Sequence, residues 1–570
     1  MTVEELIQNQ NEERKKCLDA ILSSTASKKI IVAGAGTGKT FTFKNVLKAN
    51  PNGENLVMTF IRMLVYDMNT SFGDLAEIKT FHAYCKKILH EQNGKVELIP
   101  FLTNIIEEDS KILRLSLDDF DGKFQMLDAE SSEVKYYLKR GDYYDAVSFN
   151  DSVFRLYKAL LMHPEIVPEF NQILIDEFQD FNPLEVAFIN ELEKKGKILI
   201  VGDDDQAVYP LRKASPDYLR EKFNSGDYEK FELPFCSRCT EVIVNATNAF
   251  LSKAQKKGFL NGRVNKRYEC FIELKSVDNI RFPKIITAQF KIGKTIAKYI
   301  DGVIQNIDAS DIEESWNEES EYPTVLIIGP KQYLTLVQNE LIKKYPQLVY
   351  KANEEIVPTL IDGYNLLLKD AASNLGWRIL LNFYFKTGDI KFIIEESDKG
   401  KSMEEIIKKE FQQNQKRVLE IIELIKKEEG FNDEIKKELE KIVGNFYEEI
   451  VKYYSKRIEE EIIINKTKPS ILLKSFVGCK GLSAGHVIIV GANDGAIPKN
   501  IKNISDVEIA QFMVALTRTR KQCHVVSNQW HIAPFLGGVF QTKYKKTCFL
   551  DWIPKEFIED KGLLSAKEIK

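Results

Sequence analysis

Residues 28–43 read KKIIVAGAGTGKTFTF: a short apolar strand, a glycine-rich loop and the first turn of a helix. The glycines let successive backbone N–H groups point at one place, which makes a nest for phosphate oxygens. The lysine would reach the β- and γ-phosphates of a nucleotide, and the threonine after it would bind Mg²⁺. The usual first glycine of this pattern is replaced by Ala33. The predicted nucleotide-binding residues are Gly34, Ala35, Gly36, Thr37, Gly38, Lys39 and Thr40, the last also a predicted metal ligand.

Residues 172–184, QILIDEFQDFNPL, place two adjacent acids at the end of another apolar run. Asp176 would hold Mg²⁺ against the phosphates, and Glu177 would orient and deprotonate an attacking water. Both would lie at the carboxyl edge of a parallel sheet, where open α/β folds bind ligands. An Asp-Glu pair after a strand is often only a helix N-cap. A phosphate loop in the same domain instead favours hydrolysis of a nucleoside triphosphate.

Length and composition narrow the class of protein. A chain of 570 residues with 44% apolar and 29% charged residues predicts a globular protein with two or more cores. The net charge of −4 predicts that any nucleic acid is held in a locally basic groove. The polar start, the eight scattered cysteines and the absence of a long apolar run predict a cytoplasmic protein without a membrane segment.

Apolar strands alternate with helical stretches in both halves of the chain. KKIIVAG, NLVMTF, QILIDE and KILIVGD predict one parallel sheet, and PTVLIIGP, ILLKSF, HVIIVGAND and CHVVSN predict a second. The predicted fold class is therefore α/β, with two parallel-sheet domains and helices on both faces. A small insertion is predicted in the first domain and a helical insertion in the second.

Two segments of the second half have helical character. SMEEIIKKEFQQNQKRVLEIIELIKKEEG predicts one long helix that stops at Gly430, and a second helix follows with Asn432 as its N-cap. A second Gly-Lys-Thr occurs in AQFKIGKTIAKYI, residues 288–300. Because Phe290 and Ile292 stand where the first loop has glycines, this segment predicts a helix start and no phosphate nest.

The acid pair lies in a segment, DEFQD, that resembles the acid box of the UvrD/Rep-type superfamily 1 helicases. Further boxes of that family follow in the right order from about residue 28 to 528. The resemblance implies a P-loop NTPase with two RecA-like domains and the nucleotide, ATP with Mg²⁺, in the cleft between them. The matching segments are MTFIRMLVYDM (58–68), TFHAY (80–84), VGDDDQAVYPLRKA (201–214), LPFCSRCTEVIV (233–244), SFVGCKGLSAGHVIIVGANDGAIP (475–498) and VALTRTRK (514–521).

The resemblance also implies a division of the chain. The expected parts are a first RecA-like, ATP-binding domain in residues 1–89 and 146–245 with an insertion at 90–145, a second in 246–385 and 466–545 with a helical insertion at 386–465, and a C-terminal tail at 546–570.

The resemblance assigns roles to individual residues. Gln206 would sense the γ-phosphate, and Arg238 and Arg518 would reach it across the cleft like arginine fingers. Glu177, Gln206, Arg238 and Arg518 are thus the predicted catalytic residues, and Gln10 is a candidate for reading adenine. The candidate DNA contacts are Phe60, His82, Tyr209 and Arg212.

Three positions depart from the family pattern. Leu211 replaces an aromatic that can stack on a base, and stacking is worth about 1–3 kcal/mol. Val477 replaces a histidine that normally touches DNA, and Ser483 replaces a glutamate that normally helps to hold the sugar.

Two functions therefore remain open. One is an ATP-dependent DNA helicase or single-stranded DNA translocase, moving 3′ to 5′, with DNA-stimulated hydrolysis. The other is an NTP-hydrolysing sensor of DNA ends that regulates a partner nuclease in anti-phage defence, like the helicase-like subunit of Gabija systems. A P-loop kinase would leave Gln206, Arg238 and Arg518 unexplained.

Overall fold

The predicted apolar runs form two sheets in a computed structural model. The structure describes residues 2–568 except 52, 60–61, 94–96, 210–211, 318–320, 347, 349, 351–355, 428–429, 456–466, 536–537 and 566. The strands are β1 Lys28–Val32, β2 Asn55–Thr59, β3 Glu77–Thr80, β4 Glu97–Leu98, β5 Ala146–Val147, β6 Gln172–Ile175, β7 Lys197–Gly202, β8 Glu229–Phe231, β9 Phe235–Cys236, β10 Glu269–Cys270, β11 Ile285–Ile292, β12 Val325–Ile328, β13 Ile471–Lys474, β14 Ala484–Val490, β15 Thr519–Phe535, β16 Gly538–Lys543 and β17 Ile558–Leu564.

Helices fill most of the segments between these strands. They are α1 Val3–Ser23, α2 Lys39–Ala49, α3 Arg62–Phe72, α4 Phe81–Asn93, α5 Leu102–Ile112, α6 Phe120–Gln125, α7 Ser132–Tyr143, α8 Phe149–Met162, α9 Pro183–Leu192, α10 Asp217–Asn224, α11 Glu241–Lys256, α12 Ile272–Arg281, α13 Lys294–Gln305, α14 Ala309–Ser315, α15 Lys331–Leu341, α16 Leu360–Lys369, α17 Asn374–Tyr384, α18 Thr387–Ser397, α19 Met403–Ile406, α20 Lys409–Lys427, α21 Asp433–Val443, α22 Tyr447–Tyr454 and α23 Asp506–Leu516. Among the described residues, none of these helices is both long and apolar enough to cross a membrane.

The first sheet has six parallel strands in the order β3-β2-β6-β7-β1-β8. The second has the order β13-β12-β14-β15-β11-β17, also parallel, and β16 pairs antiparallel with β15. Their inner strands are buried on both faces, as the continuous apolar runs indicate. The predicted α/β class with two parallel sheets is therefore confirmed. In the first sheet the carboxyl ends of β1, β6 and β7 meet at one edge.

The chain divides into two compact units. We call residues 1–81, 168–353 and 465–570, which hold both large sheets, the sheet unit. Residues 82–167 and 354–464 form the helical unit. Each segment of the helical unit is longer than the corresponding predicted insertion, 90–145 or 386–465. The domain boundaries expected from the family resemblance stay a prediction.

A buried carboxylate joins the two segments of the helical unit. Asp109 accepts hydrogen bonds from Arg140 (2.8 Å) and Tyr144 (2.5 Å) of the first segment and from Arg378 (2.7 Å) of the second. Arg140 also donates to the Ser397 hydroxyl at 2.9 Å. The aspartate and both arginines are almost fully buried. These charges stabilise the unit only as a set, because a buried charge without its partner is strongly unfavourable.

The prediction of one helix over residues 402–430 is wrong. Residues 407–408 separate α19 from α20, and Ile407 has an extended backbone and a buried side chain. The Gln412 side chain donates to the carbonyls of Glu404 (2.5 Å) and Ile407 (2.6 Å), which satisfies acceptors that the break leaves open. The break therefore buries an apolar side chain while the carbonyls of Glu404 and Ile407 keep a hydrogen-bond partner.

The predicted starts of two other helices agree with the structure. Asn432 caps α21 as predicted, but Gly444, at φ +57°, separates α21 from α22. The second Gly-Lys-Thr starts α13, as predicted, and Gly293 has ordinary right-handed dihedral angles. No left-handed glycine therefore turns the backbone into a nest at Gly293.

Candidate nucleotide-binding site

The loop after β1 has the backbone that its glycines predict. Gly36 and Gly38 have φ values of +73° and +90°, a region that other residues rarely adopt. A Cβ on Gly36 would also lie 2.5 Å from the Cβ of Arg238, so glycine is required there for space as well. The loop leads into α2, whose first residue is Lys39. Its ammonium donates to the carbonyls of Ala33 (3.2 Å) and Gly34 (3.5 Å) at the end of the strand.

The acid pair follows β6 directly. Glu177 has φ +53°, which is uncommon for a side chain other than glycine and is typical of strained functional sites. Its carboxylate accepts a 2.5 Å hydrogen bond from the Gln179 amide. The other end of Gln179 accepts from the backbone N–H of Asp203 at 2.9 Å, after β7. Gln179 thus links the acid pair to the neighbouring strand.

The two acids differ in charge state. Burial, together with the neighbouring Glu177 carboxylate, raises the pKa of Asp176 to about 7. Burial alone would raise the pKa of Glu177, but the positive charges of Lys480 and Lys39 outweigh it, so that pKa lies below its usual value. Glu177 is therefore ionised at neutral pH and able to accept a proton. A divalent cation at Asp176 would favour its ionised form.

Hydrogen bonds connect the two sheets across the site. Arg518, just before β15, donates to the Gln206 side-chain oxygen at 3.0 Å. Gln206 in turn donates to Asp203 at 2.6 Å. Arg518 is fixed on its own side by the carbonyls of Leu482 (3.1 Å) and Val514 (3.0 Å). The side chains predicted to sense the γ-phosphate thus touch each other directly.

The structure adds a lysine to which the sequence analysis assigned no role. The Lys480 ammonium donates to Asp180 and to the Gln206 carbonyl, both at 2.6 Å, and lies 3.8 Å from Glu177. Lys480 is buried, and it belongs to the loop between β13 and β14 of the second sheet. Its position in the Lys-Gly-Leu box could have identified it as a site residue from the sequence. Its contacts, 274 and 300 residues apart in the chain, were not predictable.

We expect Lys480→Met to lower the free energy of unfolding of the sheet unit by about 3–5 kcal/mol, because it leaves buried Asp180 without its ion-pair partner. Urea denaturation followed by circular dichroism measures the effect. Lys499→Met, at an exposed lysine, is the matched control and should leave the midpoint unchanged. Equal midpoints for the two variants would contradict a stabilising role for Lys480.

Residues from both sheets line one cavity of about 290 Å³. Four cationic side chains reach it, Lys39, Arg238, Arg518 and Arg520, against the carboxylates of Asp176 and Glu177. This excess of cations fits a polyphosphate, and the oxygens of Thr40 and Asp176 are ligands that Mg²⁺ prefers. The lining residues are Ala35, Gly36, Thr37, Gly38, Lys39, Thr40, Leu64, Asp176, Glu177, Gln206, Ser237, Arg238, Gly481, Arg518 and Arg520.

Four predicted residues of the described sheet unit lie outside this lining, namely Gly34, Gln10, Tyr209 and Arg212. Gln10 donates to the Cys270 carbonyl and accepts from the Ile272 N–H, both at 3.0 Å, so both ends of its amide are bonded to backbone. The Tyr209 ring packs on the core of the second sheet, with the Lys480 ammonium 5.5 Å from its centre. Arg212 pairs with buried Glu185 at 3.0 Å.

The remaining predicted DNA contacts are not part of the described sheet unit. His82 belongs to the helical unit, where its ring packs edge-on against Phe149 at 5.1 Å. Phe60 and Leu211 lie outside the described residues. The DNA-binding assignment of Phe60, His82, Tyr209 and Arg212 therefore stays a prediction.

An acidic triad beside the site is compensated by a lysine. Asp203, Asp204 and Asp205 form the one group of three close potential metal ligands among the described residues. The Lys266 ammonium lies 2.6–2.8 Å from each of the three. Arg263 adds a pair with Asp205 at 2.7 Å. These ion pairs explain the triad as a structural feature. The carboxylates that could bind a metal ion are already paired with Lys266 and Arg263.

Comparison with known proteins finds similarity to one family of DNA helicases. Residues 13–136 and 125–225 match the model of the UvrD/REP helicase N-terminal domain. The chain is 23% identical to DNA helicase II of Escherichia coli over 336 residues, 50% of this chain and 46% of that protein. It is 25% identical over 414 residues to ATP-dependent DNA helicase PcrA of Staphylococcus aureus, covering 62% of this chain and 55% of that protein.

A third relative is matched over nearly its whole length. The chain is 22% identical over 661 residues to a probable DNA helicase II homolog of Mycoplasma capricolum, covering 98% of this chain and 89% of that protein. By contrast, the chain spans about half the length of the Escherichia coli and Staphylococcus aureus relatives.

Proposed function

Because the chain is a UvrD/Rep-type protein of helicase superfamily 1, we propose that it hydrolyses ATP and uses the energy to move along single-stranded DNA, 3′ to 5′. The observation that carries this proposal is the single cavity that contains the phosphate loop, the acid pair and three arginines. A simple nucleotide-binding turn would not need arginines from a second sheet. A motor needs such arginines, because both of its sheets must contact the same phosphate in order to respond to its loss.

The residues of the cavity divide the chemistry among them. Glu177, ionised and oriented by Gln179, accepts a proton from the attacking water. Thr40 and Asp176 would hold Mg²⁺, which when bound neutralises phosphate charge. Arg238 and Arg518 stabilise the charge that develops on the γ-phosphate in the transition state.

The link between Gln206 and Arg518 supports coupling of hydrolysis to movement. A γ-phosphate between these side chains would bond to both, and its loss would release both. The two sheets would then change their separation once for each nucleotide hydrolysed. A single strand held by both sheets would be drawn along by that change.

We expect single-stranded DNA to raise ATP turnover about tenfold, the effect of ~1.4 kcal/mol in favour of the closed cleft. The candidate contacts at Phe60, His82, Tyr209 and Arg212 would bind backbone and base faces, so stimulation should depend weakly on base sequence. It should fall steeply with salt, because phosphate contacts release counterions. Phosphate release with oligo-dT and mixed-sequence strands, at several salt concentrations, measures these effects.

Lys39→Ala is the control for contaminating ATPase in that assay. No stimulation of the wild-type protein at low salt, with or without added partner proteins, would contradict the DNA-dependent motor. Unwinding of a duplex with a 3′ single-stranded tail, but not one with a 5′ tail, would support the proposed polarity.

A second candidate function is a sensor that hydrolyses NTP at DNA ends and regulates a nuclease in anti-phage defence, as in Gabija systems. Ser483, at a departure from the family pattern, offers no sugar-binding carboxylate and instead accepts a hydrogen bond from Arg520 at 3.0 Å. A motor unwinds a tailed duplex alone, whereas a sensor hydrolyses NTP without unwinding. Co-purification of a nuclease from the native host, together with a negative unwinding assay, would favour the sensor.

We also propose a cytoplasmic location. All eight cysteines are free thiols, and six of them are buried. Free thiols persist in a reducing compartment, where disulfides are rare.

A further inference from the structure

Arg520 is a third arginine in the cavity, and the catalytic scheme above gives it no task. It follows Arg518 by two residues, near the start of β15, and its side chain lines the same cavity as Lys39 and Arg238. Arginine carries five N–H donors in a planar fork that matches phosphate oxygens.

The side chain of Arg520 is held in place by neutral groups. Its Nε donates to the Ser483 hydroxyl at 3.0 Å, and its guanidinium carbon lies 4.1 Å from the centre of the Tyr322 ring. Within the described part of the chain, no carboxylate oxygen lies within 4.0 Å of this guanidinium. The nearby Glu314 is already paired with Lys521 at 2.6 Å. The side chain is thus oriented, but its charge is not neutralised.

This arrangement is electrostatically costly without an anion. Burial lowers the pKa of Arg520, and the positive charge of Arg238 lowers it further. The four cations of the cavity outnumber its two acids. An anion with several charges offsets both the desolvation and the mutual repulsion of these cations.

We propose that Arg520 binds the phosphate chain of the nucleotide directly, with Ser483 and Tyr322 as positioning residues. The proposal rests on the proposed function, since it takes the cavity to be the NTP site. A phosphate chain is favoured over the sugar because a guanidinium only donates hydrogen bonds, and its bonds to anionic oxygens are about twice as strong as those to neutral ones. Affinity should therefore depend on the number of phosphates.

The test is equilibrium binding of fluorescent ATP and AMP analogues with Mg²⁺ and without DNA. Arg520→Gln should weaken ATP binding about 10- to 100-fold and AMP binding much less, because a charged hydrogen bond is lost at the phosphates. Arg520→Lys, which keeps the charge but not the fork, should recover part of the loss. Arg114→Gln, at an exposed arginine of the helical unit, is the matched control and should change neither affinity.

Ser483 provides a test of positioning. Ser483→Ala should weaken ATP binding in the same direction but by less than Arg520→Gln, and Ser483→Thr, which keeps the hydroxyl, should restore it. Equal weakening of ATP and AMP by Arg520→Gln, or a lowered unfolding midpoint that accounts for the loss, would overturn the proposal in favour of a structural role.

Three further outcomes distinguish failure of this inference from failure of the proposed function. If Lys39→Ala abolishes ATP binding while Arg520→Gln leaves it unchanged, the site is correct and the role of Arg520 is overturned. If Arg520→Gln instead weakens binding of single-stranded oligo-dT, Arg520 contacts DNA and the phosphate proposal is also overturned. If neither the wild type nor any variant binds ATP, the proposed function fails together with this inference.

Discussion

Glu177→Gln is expected to slow ATP hydrolysis about 10²–10⁴-fold while ATP still binds, since that is the usual contribution of a general base. Glutamine has nearly the shape of glutamate but cannot take a proton from water. The phosphate loop, Thr40 and Asp176 are untouched, so the contacts that hold the nucleotide remain. The ionised state of Glu177 depends on the charges of Lys480 and Lys39, and the substitution removes the group on which those charges act.

Single-turnover hydrolysis and binding of a fluorescent ATP analogue, measured on the same preparation, separate the two effects. Glu191→Gln, at a partly buried glutamate of α9 that pairs with Lys194, is the matched control and should behave as the wild type in both assays. Parallel loss of ATP binding and hydrolysis in Glu177→Gln would mean that Glu177 supports the structure of the site and is not the base.

Asp109→Asn is expected to destabilise the helical unit by about 3–5 kcal/mol, because it removes the buried counter-charge that Arg140 and Arg378 share. Only the longer pairs of Arg140 with Asp398 (3.7 Å) and of Arg378 with Glu108 (3.3 Å) then remain. The introduced amide could still accept hydrogen bonds through its oxygen, but its NH₂ group would face the donors of Arg140 or Arg378. Loss of a shared partner should loosen both segments of the unit together, since each supplies one arginine.

Hydrogen–deuterium exchange measures the backbone amide exchange rate of each segment separately. Peptides from α5 and α17 should both exchange faster in Asp109→Asn, and Asp118→Asn, at an exposed aspartate, should leave both unchanged. Faster exchange in α5 alone would contradict the shared role of Asp109, and unchanged exchange in both would contradict a stabilising role altogether.

The parts of the molecule that could be predicted from the sequence are those governed by short-range rules. The loop before Lys39 needs left-handed glycines at fixed spacing, and Asp176 and Glu177 follow a buried strand directly. Asn432 was predictable as a cap for the same reason, because a cap acts within one turn of its own helix. The two parallel sheets followed from the alternation of apolar runs with helical segments.

Long-range contacts could not be predicted in this way. The break before α20 depends on a pocket that buries Ile407, although the local charge pattern favours a continuous helix. The bonds of Lys480 and the pairing of Ser483 with Arg520 depend on how loops distant in the chain meet. The amide of Gln10 bonds to backbone more than 250 residues away, which no spacing rule indicates.

The shared carboxylate of the helical unit limits how this chain could be shortened or recombined. Removing the first segment alone would leave Arg378 without Asp109. Removing the second segment alone would leave Asp109 and Arg140 without Arg378. Each partial deletion either exposes to solvent a charge that the complete unit buries or leaves that charge without its ion-pair partner. A shortened version of this protein that still folds must therefore lack both segments or keep both. The two segments are inherited or lost together, although they are separated in the chain.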